Sequence, residues 1–288
     1  MILVFGANGQ LGTDLVKKLS QDNLDFLPIT RNDIDIEKTD ELKKFLQEKE
    51  YKFLINCTSY HKTEEVEENP AKAYTINAKV PEIMAEDANM KNAVFFHVST
   101  DYVFGADQQN TPLSEESAPG PLNIYGSSKL MGENLIKLNT SKYYILRVAS
   151  LFGVAGASGK GGNFVEAIIS KAKSNEDISV VDDQVMSPTH TDFIAKAIVF
   201  IMKKSIDFGI YNIVNKGEVS WHEFASEIMR SLSFKKEIKK ISSSSLSLKA
   251  KRPLYSALSS KKIESSGLVV PTYQESLKEY LKIKGHIE

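Results

Sequence analysis

Residues 2–12 read ILVFGANGQLG and set up the first structural unit of the chain. The apolar run Ile2–Phe5 is typical of a parallel strand that is covered on both faces. Gly6, Gly9 and Gly12 follow it, and apolar residues then recur at helical spacing. In a dinucleotide fingerprint such glycines let the backbone turn sharply and approach a pyrophosphate, which the helix N-terminus binds. We therefore expect a cofactor-binding turn here, although the spacing is GxxGxxG and a glycine triplet can also form a plain tight turn.

The alternation of strands and helices continues along the chain. Further apolar runs predict strands at 26–30, 33–36, 53–57, 94–98, 144–149 and 209–214. Strands that alternate with amphipathic helices indicate an α/β fold with a Rossmann-like, doubly wound parallel sheet, whose ligands bind beyond the carboxyl ends of the strands. The pattern weakens from Ser150 onward. We therefore expect a Rossmann domain at 1–149 plus 189–215 and a smaller C-terminal substrate-binding lobe at 150–188 plus 216–288.

The composition is that of an ordinary soluble globular protein. Of 288 residues, 42% are hydrophobic and 25% charged, and the net charge is −1. No basic stripe favours nucleic acid or an anionic membrane, and no apolar run approaches the roughly 18 residues of a transmembrane helix. Cys57 is the only cysteine and the first strand begins at the N-terminus, so we expect no internal disulfide, no secretory signal and a cytoplasmic location. As the end of a buried strand, Cys57 suits a small apolar role better than that of a nucleophile.

Tyr125 and Lys129 form a candidate catalytic pair. Positions i and i+4 share one face of a helix, so both side chains can point into one site. A nearby positive charge is expected to lower the tyrosine pKa from its usual value of about 10. Residues 99–101, Ser-Thr-Asp, stand at the end of the preceding strand. Tyr280 and Lys284 repeat the spacing without a glycine turn or such a strand end, and we interpret them as a solvated face of the terminal helix.

The residues after the second strand bear on the choice of cofactor. An NAD-specific site usually carries an acid here for the ribose 2′-hydroxyl. This chain has Arg31, which could pair with a 2′-phosphate or be a surface charge, and Asp33 lies close by. NADPH is therefore favoured, with NADH as the alternative. Asp35 could reach an adenine amino group or cap the entry to a helix.

Four other features leave alternatives open. The small residues at 57–60 suit a backbone that passes along a cofactor, and His61 either contacts substrate or hydrogen-bonds its own loop. The glycine-rich segment 153–162 is a mobile loop or a plain linker. Arg252 could place a cation near a substrate phosphate, or it is a surface charge. His97 has no cluster of ligand-type residues around it in the sequence, so we interpret it as a core histidine and expect no metal site.

Several strings, taken together, resemble the dTDP-4-dehydrorhamnose reductase family of the extended short-chain dehydrogenase/reductase superfamily. They are GANGQLG at 6–12, STDYVF at 99–104, LNIYG at 122–126 with KLMGE at 129–133, DQVMSPT at 183–189, and RP at 252–253 with YSAL at 255–258. The resemblance covers essentially the whole chain. It implies reduction of the 4-keto group of a dTDP-6-deoxy-hexulose with NAD(P)H, which completes dTDP-L-rhamnose for cell-surface polysaccharide.

The resemblance also implies roles for individual residues. Tyr125 would donate a proton to the developing alkoxide, Lys129 would hold the nicotinamide ribose, and Thr100 would hydrogen-bond the carbonyl oxygen. The expected cofactor contacts are Gly6, Gly9, Gln10, Leu11, Gly12, Arg31, Asp35, Ile36, Cys57, Thr58, Ser59, Tyr60, Tyr125 and Lys129. The expected substrate contacts are His61, Thr100, Asp101, Tyr102, Tyr125, Ser150, Asn163, Gln184 and Arg252. The implied partner is a small nucleotide-sugar, with no nucleic acid or membrane, and a homodimer stays open.

Two departures from the family pattern bear on the substrate. Ser150 stands where the family often has Trp, and His61 where it often has Thr, so a related nucleotide-hexulose is an alternative substrate. An epimerase or 4,6-dehydratase of the same fold is one rival, although Tyr102 after Thr100-Asp101 replaces the acidic pair typical of dehydratases. The other rival is a non-enzymatic protein similar to the regulatory subunit of methionine adenosyltransferase.

Overall fold

A single parallel sheet forms the centre of the protein. The computed structural model describes residues 1–106, 110–157, 162–174 and 176–288. Within these residues the sheet has six strands in the order β10-β5-β4-β3-β1-β2, and all neighbouring pairs are parallel. Its strands are β1 (Ile2–Phe5), β2 (Phe26–Ile29), β3 (Phe53–Asn56), β4 (Val94–Thr100), β5 (Tyr143–Val148) and β10 (Gly209–Asn212). The predicted Rossmann-like sheet is confirmed.

Short strands outside this sheet form three two-stranded pairs, β6 with β9, β7 with β12 and β8 with β11. They are β6 (Leu151–Phe152), β7 (Ile178–Val181), β8 (Val185–Met186), β9 (Thr189–His190), β11 (Val219–Ser220) and β12 (Ile238–Ile241). The α-helices of the described residues are α1 (Gln10–Gln21), α2 (Thr39–Gln47), α3 (Thr63–Glu68), α4 (Pro70–Tyr74), α5 (Val80–Met90), α6 (Ile124–Asn139), α7 (Phe164–Lys173), α8 (Thr191–Lys204), α9 (Trp221–Ser231), α10 (Lys261–Ser265) and α11 (Tyr273–Ile283). A π-helical turn at Thr75–Lys79 joins α4 to α5.

Helices cover both faces of the sheet, because its strands carry apolar side chains on each side. On one face, α1 and α8 pack through residues such as Leu15 and Ile198. On the other, α2 and α5 pack through residues such as Leu42 and Ile83. Among the described residues, no helix combines the length and apolar character needed to cross a lipid bilayer.

A separate apolar cluster lies in the C-terminal part of the chain. It joins α7, α9 and α11 to β7 and β12 through buried residues such as Ile168, Phe224 and Leu277. We propose that this cluster is the core of the expected substrate-binding lobe, with the division at 1–149 plus 189–215 and 150–188 plus 216–288. Helix α10 is an exception within the second range, because Ile263 packs in the core of the main sheet.

Residues 33–36 were expected to form a strand, and this prediction is wrong. They lie in a turn, where Asp33 accepts hydrogen bonds from the Thr30 N–H and hydroxyl, each at 2.8 Å. These bonds lower the Asp33 pKa below its usual value. The carboxylate closes the loop on itself, which removes the extended conformation that the apolar residues Ile34 and Ile36 suggested.

The interpretation of Tyr280 as part of a solvated face is also wrong. Its side chain is fully buried, and its hydroxyl donates to Glu166 Oε1 at 2.6 Å. Helix α11 turns this face into the C-terminal apolar cluster, while Lys284 follows the helix and is exposed. Of the glycine-rich segment at 153–162, residues 158–161 lie outside the described residues, and Ala157 forms a single bridge with Gly162.

Candidate active site

The loops that follow β1, β3, β4 and β5 meet at one edge of the sheet, because parallel strands all end there. Nearest the first strand is the glycine turn. Gly6 has a positive φ of 76°, and a Cβ at Gly12 would lie 2.0 Å from the Gly6 carbonyl oxygen. Only glycine fits at position 12. Helix α1 starts at Gln10 after Gly9, which has no side chain to cap it, so first-turn N–H groups are left for an anionic ligand.

Tyr125 lies in the first turn of α6, at the same edge. The side chains of Thr100 and Ser59 lie close enough to its hydroxyl to act on its pKa. The Tyr102 ring meets the Tyr125 ring edge-on at 5.8 Å. Helix α6 can pack closely against the backbone of Tyr102 because Gly126 has no side chain. A Cβ at this position would lie 2.0 Å from the Tyr102 carbonyl oxygen. The fold therefore brings Tyr125, Thr100 and the glycine turn to the same edge of the sheet, at the carboxyl ends of its strands.

The electrostatics of Tyr125 differ from the expectation that Lys129 lowers its pKa. Burial raises the Tyr125 pKa above its usual value, and the side chains of Thr100 and Ser59 oppose this rise only in part. The expected direction is therefore wrong, because removal from solvent disfavours the charged phenolate. A protonated phenol at neutral pH can act as an acid.

Lys129 is buried one turn further along α6, with 1% of its side chain exposed. Its Nζ lies 2.6 Å from the Val98 carbonyl oxygen and 2.9 Å from His97 Nε2. Burial lowers the Lys129 pKa to about 7, while Glu133 and Cys57 oppose the shift. The side chain is thus anchored on β4, behind Tyr125.

Thr100 and Asp101 stand at the carboxyl end of β4 and are both buried. Thr100 Oγ1 donates to Asp101 Oδ1 at 3.1 Å, and Ser256 Oγ donates to Asp101 Oδ2 at 2.6 Å. Burial raises the Asp101 pKa to about 6, and the bonds from Ser256 and Thr100 work against that rise. Asp101 therefore ties the main sheet to the segment that carries the YSAL string.

The loop at 57–60 is held by Asn77, a residue that no sequence pattern singled out. Asn77 Oδ1 accepts from the Tyr60 N–H at 2.9 Å and the Ser59 hydroxyl at 3.2 Å. Its Nδ2 donates to the Tyr60 carbonyl and to Ser128 Oγ, each at 3.0 Å. Asn77 lies in the π-helical turn at Thr75–Lys79, an irregularity that often marks functional sites and that the sequence analysis did not predict.

The remaining expected cofactor contacts fall into two groups. Cys57 and Thr58 lie against the glycine turn, 3.1–3.2 Å from where a Cβ on Gly6 would stand. Burial raises the Cys57 pKa to about 12, so its thiol is a poor nucleophile, as expected. Leu11 packs in the sheet core and could offer a ligand only its backbone, whereas Gln10 Oε1 is buried without a hydrogen-bond partner among the described residues.

Beyond β2, the structure places three expected contacts at the surface. Arg31 and Asp35 are exposed, and Ile36 is half-buried. Asp35 Oδ1 accepts from the Glu37 N–H at 3.1 Å, and α2 begins later, after Lys38. The alternative role of Asp35 as a helix cap is therefore wrong, because its carboxylate closes a turn.

A small pocket opens between the sheet edge and the lobe. Its lining includes Asp101, Tyr102, Ser150 and Gln184, all expected substrate contacts, together with Trp221. The spacing of Ser220 and Glu223 is typical of a capping box at a helix start, and this capping box is present at the start of α9. That signal did not reveal that the next side chain, Trp221, lines the pocket.

Three other expected substrate contacts have partners within the protein. Asn163 caps α7 and donates to the Gly153 carbonyl oxygen and the Tyr280 hydroxyl, each at 3.0 Å, and it is absent from the described pocket lining. His61 Nδ1 lies 3.3 Å from the Ser59 carbonyl oxygen, in its own loop. Arg252 Nη2 lies 3.6 Å from Glu64, and Arg252 Nε is buried without a hydrogen-bond partner in the described part of the chain.

Away from this site, three residues of metal-ligand type come together, which the sequence did not predict. His190, Asp192 and Glu279 each place one ligand-type atom within 4.8 Å of the others. The Lys196 ammonium lies 2.5 Å from Asp192 Oδ2 and 3.3 Å from Glu279 Oε1. A lysine therefore already supplies a positive charge to these two carboxylates.

Both the sequence and the fold are similar to those of known proteins. The family model described as "RmlD substrate binding domain" matches residues 1–285. The spore coat polysaccharide biosynthesis protein SpsK of Bacillus subtilis is 32% identical over 281 residues, which are 98% of this chain and 96% of that protein. The crystal structure of a dTDP-4-dehydrorhamnose reductase from Clostridium acetobutylicum is 34% identical with a TM-score of 0.92 and covers 99% of both chains.

A second solved structure bears on the cofactor. The dTDP-4-dehydrorhamnose reductase of Bacillus anthracis, solved in complex with NADP, is 32% identical with a TM-score of 0.91 and covers 98% of both chains. The family model spans nearly the whole sequence, and the chain has the glycine turn and the Tyr125–Lys129 helix. The chain therefore belongs to the dTDP-4-dehydrorhamnose reductase family, whose members are NADPH-dependent oxidoreductases of the extended short-chain dehydrogenase/reductase superfamily.

Proposed function

We propose that this protein reduces the 4-keto group of a nucleotide-linked 6-deoxy-hexulose with NADPH, as a dTDP-4-dehydrorhamnose reductase that forms dTDP-L-rhamnose. One observation carries the proposal. The Tyr125 hydroxyl lies close enough to the Thr100 side chain for Thr100 to lower its pKa, at the sheet edge where the glycine turn opens. One carbonyl oxygen can therefore meet an acid and a hydrogen-bond donor together.

The residues at the glycine turn fit a dinucleotide phosphate. The uncapped start of α1 leaves N–H donors, the bare Gly12 lets the turn close tightly, and buried Gln10 Oε1 has no partner among the described residues. Arg31 stands after β2, where it suits a ribose 2′-phosphate. The bound NADP of the Bacillus anthracis relative supports this choice.

The proposed chemistry assigns one task to each side chain. NADPH, when bound, supplies the hydride that reaches C4 of the keto-sugar. Tyr125 donates its phenolic proton to the oxygen as negative charge develops there, and Thr100 hydrogen-bonds the same oxygen in the manner of an oxyanion donor. Lys129, anchored on Val98, holds the nicotinamide ribose. Asp101 orients the sugar.

The lobe supplies the proposed substrate contacts. Tyr102 and Trp221 offer aromatic walls to the sugar, and Ser150 leaves the room that a larger side chain would fill. Arg252, half-buried beside Glu64, would meet a phosphate of the nucleotide. The name of the Bacillus subtilis relative supports a role in surface polysaccharide biosynthesis. A single cysteine and a nucleotide-sugar substrate favour the cytoplasm.

The proposal is tested by NADPH oxidation against a panel of nucleotide-linked 4-keto-hexuloses that differ in base and sugar. We expect turnover with the dTDP-linked 6-deoxy sugar, and weaker turnover with the others. Turnover confined to a different sugar would change the assigned substrate but still support the proposed type of reaction. NADPH oxidation absent with every sugar would contradict the proposal.

Two rivals predict other outcomes of the same preparation. An epimerase would retain its nicotinamide through purification and convert a sugar without net oxidation of added NADPH. A regulatory subunit would co-purify with an enzyme partner in fixed stoichiometry. Tyr102 follows Thr100-Asp101 where dehydratases typically have a second acidic residue, which also argues against a dehydratase.

A further inference from the structure

A buried chain of polar contacts lies behind Lys129. Thr58 donates to Asn56 Oδ1 through its backbone N–H at 2.9 Å and its hydroxyl at 2.6 Å. Asn56 Nδ2 lies 3.2 Å from His97 Nδ1, and His97 Nε2 lies 2.9 Å from Lys129 Nζ. Asn56 and His97 are fully buried. The proposed chemistry gives neither residue a task.

The direction of the hydrogen bonds in this chain is fixed at its Thr58 end. A backbone N–H can only donate, so the Asn56 atom it meets is the amide oxygen. Asn56 Nδ2, which can only donate, therefore faces His97 Nδ1, and Nδ1 has to accept. A neutral imidazole carries one proton, and in His97 that proton then sits on Nε2, pointing at Lys129 Nζ.

An ammonium group cannot accept a hydrogen bond from His97 Nε2–H, because it has three N–H bonds and no lone pair. A neutral amine can. Its lone pair accepts from His97 Nε2–H, and one of its two N–H bonds donates to the Val98 carbonyl oxygen at 2.6 Å. A doubly protonated His97 is disfavoured, because burial holds its pKa well below the usual value and the Lys129 charge acts in the same direction.

We propose that Asn56 and His97 are positioning residues that hold Lys129 as a neutral amine in the cofactor-free protein. Asn56 acts by selecting the Nε2–H tautomer of His97, and His97 acts by presenting that N–H to the lysine. The inference concerns the free protein. It rests on the proposed function only for its consequence, that Lys129 can take up a proton near neutral pH and so help to restore the Tyr125 phenol after each turnover.

The charged groups around Lys129 do not reverse this preference. On α6, Glu133 is paired with Arg147 Nη2 at 2.7 Å, and Ser99 also donates to it. On the β3 side, Cys57 is a thiol whose pKa burial raises to about 12, so it carries no charge at neutral pH. The lowered Lys129 pKa of about 7 has burial as its largest cause.

The proposal is tested without catalysis, by NMR on the cofactor-free protein. The ¹³Cε resonances of labelled lysines are followed against pH, and the Lys129 signal is assigned by its loss in Lys129→Arg. We expect it to titrate near 7, more than two pH units below the exposed lysines. Titration together with the exposed lysines would overturn the proposal.

Asn56→Asp should reverse the direction of the hydrogen bonds between residue 56, His97 and Lys129. One carboxylate oxygen would accept from Thr58 and the other from a proton on His97 Nδ1, so Nε2 would accept from an ammonium. We expect the Lys129 titration to move up by at least one pH unit. The matched control is Asn89→Asp, which adds the same charge at the exposed end of α5, before the amino end of β4, and should leave it unchanged. Equal shifts in the two variants would contradict the role of Asn56.

The imidazole ¹⁵N shifts of the unmodified protein give a second readout that needs no variant. We expect His97 to show a protonated Nε2 and an unprotonated Nδ1. A proton on Nδ1 would overturn the proposal even if Asn56→Asp does not fold. Because neither measurement uses a substrate, a failed reductase assay and a failed protonation test are separate results.

Discussion

At the scale of single residues, burial sets the charge of the groups around the site. It raises the Tyr125 pKa, raises the Asp101 pKa to about 6 and lowers the Lys129 pKa to about 7. All three shifts favour the neutral form, because a charged group loses hydration when solvent is removed. A neutral phenol is the form needed to donate a proton to an alkoxide.

Tyr125→Phe tests the assignment of the acid. We expect turnover to fall by about 10²- to 10⁴-fold, which is the usual loss on removing a general acid, while NADPH affinity stays within about twofold because the ring remains. Steady-state kinetics and a cofactor titration measure the two effects. Tyr74→Phe, at an exposed ring, is the control, and equal activity in both variants would refute the role.

Asp101→Asn tests how the pH dependence of stability arises. The folded-state pKa is raised from 3.8 to about 6, so the wild type binds an extra proton in that window and loses stability as pH rises through it. The neutral amide avoids this loss. We expect the variant to gain up to about 3 kcal/mol over wild type at pH 8 and almost nothing near pH 4, while turnover falls.

The measurement is urea unfolding of both proteins at the two pH values. A stability difference that is the same at both would show that the Asp101 carboxyl is not protonated in the folded state in this window.

At the scale of elements, α6 carries the site and is locked to β5 by a buried ion pair. Arg147 Nε and Nη2 donate to Glu133 Oε1 and Oε2 at 3.0 and 2.7 Å. The guanidinium also lies 4.9 Å from the centre of the Phe104 ring. Because Glu133 stands one turn after Lys129, this pair fixes the helix that presents Tyr125.

Glu133→Ala should destabilise the protein by about 3 to 5 kcal/mol, because it leaves the Arg147 charge buried without a partner. Denaturant unfolding measures the loss. The double variant Glu133→Leu with Arg147→Met should recover much of it, since neither charge is then left alone. A loss below about 1 kcal/mol in Glu133→Ala would contradict the importance of the pair.

At the scale of the whole molecule, the proposed site would combine residues of the sheet edge with residues of the proposed lobe. The pocket combines Asp101 and Tyr102 from the sheet with Trp221 from α9, and the Phe164 ring packs 4.7 Å from Trp221. Ser256 ties the two parts together at Asp101. Sugar selectivity is therefore expected to depend on how the lobe sits on the sheet.

Trp221 offers a direct probe of that arrangement, because it is the only tryptophan in the chain. Adding a dTDP-linked sugar should change its intrinsic fluorescence with saturation, whereas NADPH alone, held at the glycine turn, should affect it far less once inner-filter absorption is corrected. Substrate binding that leaves the emission unchanged would contradict the placement of the sugar beside Trp221.

Local patterns made much of this fold and site predictable. The glycine turn, the 99–101 string and Tyr125 with Lys129 each occupy fixed positions relative to a strand end or a helix start. The apolar periodicity of α11, at Tyr273, Leu277 and Tyr280, also carried a signal that the solvated-face interpretation overlooked.

Other features depend on residues that meet only in the folded chain. Asn77 reaches the 57–60 loop through a π-helical turn, and Asn56 meets His97 across two strands. The Glu133–Arg147 pair and the position of Trp221 are likewise set by packing. No spacing rule along one chain reports such contacts, so the sequence could not reveal them.

The most direct test of the reductase assignment is deuterium transfer. The protein is supplied with NADPH deuterated at nicotinamide C4 and a dTDP-linked 4-keto-6-deoxy-hexulose, and the sugar product is analysed by mass spectrometry and NMR. We predict stereospecific transfer of the deuterium to sugar C4, nearly abolished in Tyr125→Phe. A product without deuterium at C4, or equal transfer in the variant, would contradict the account.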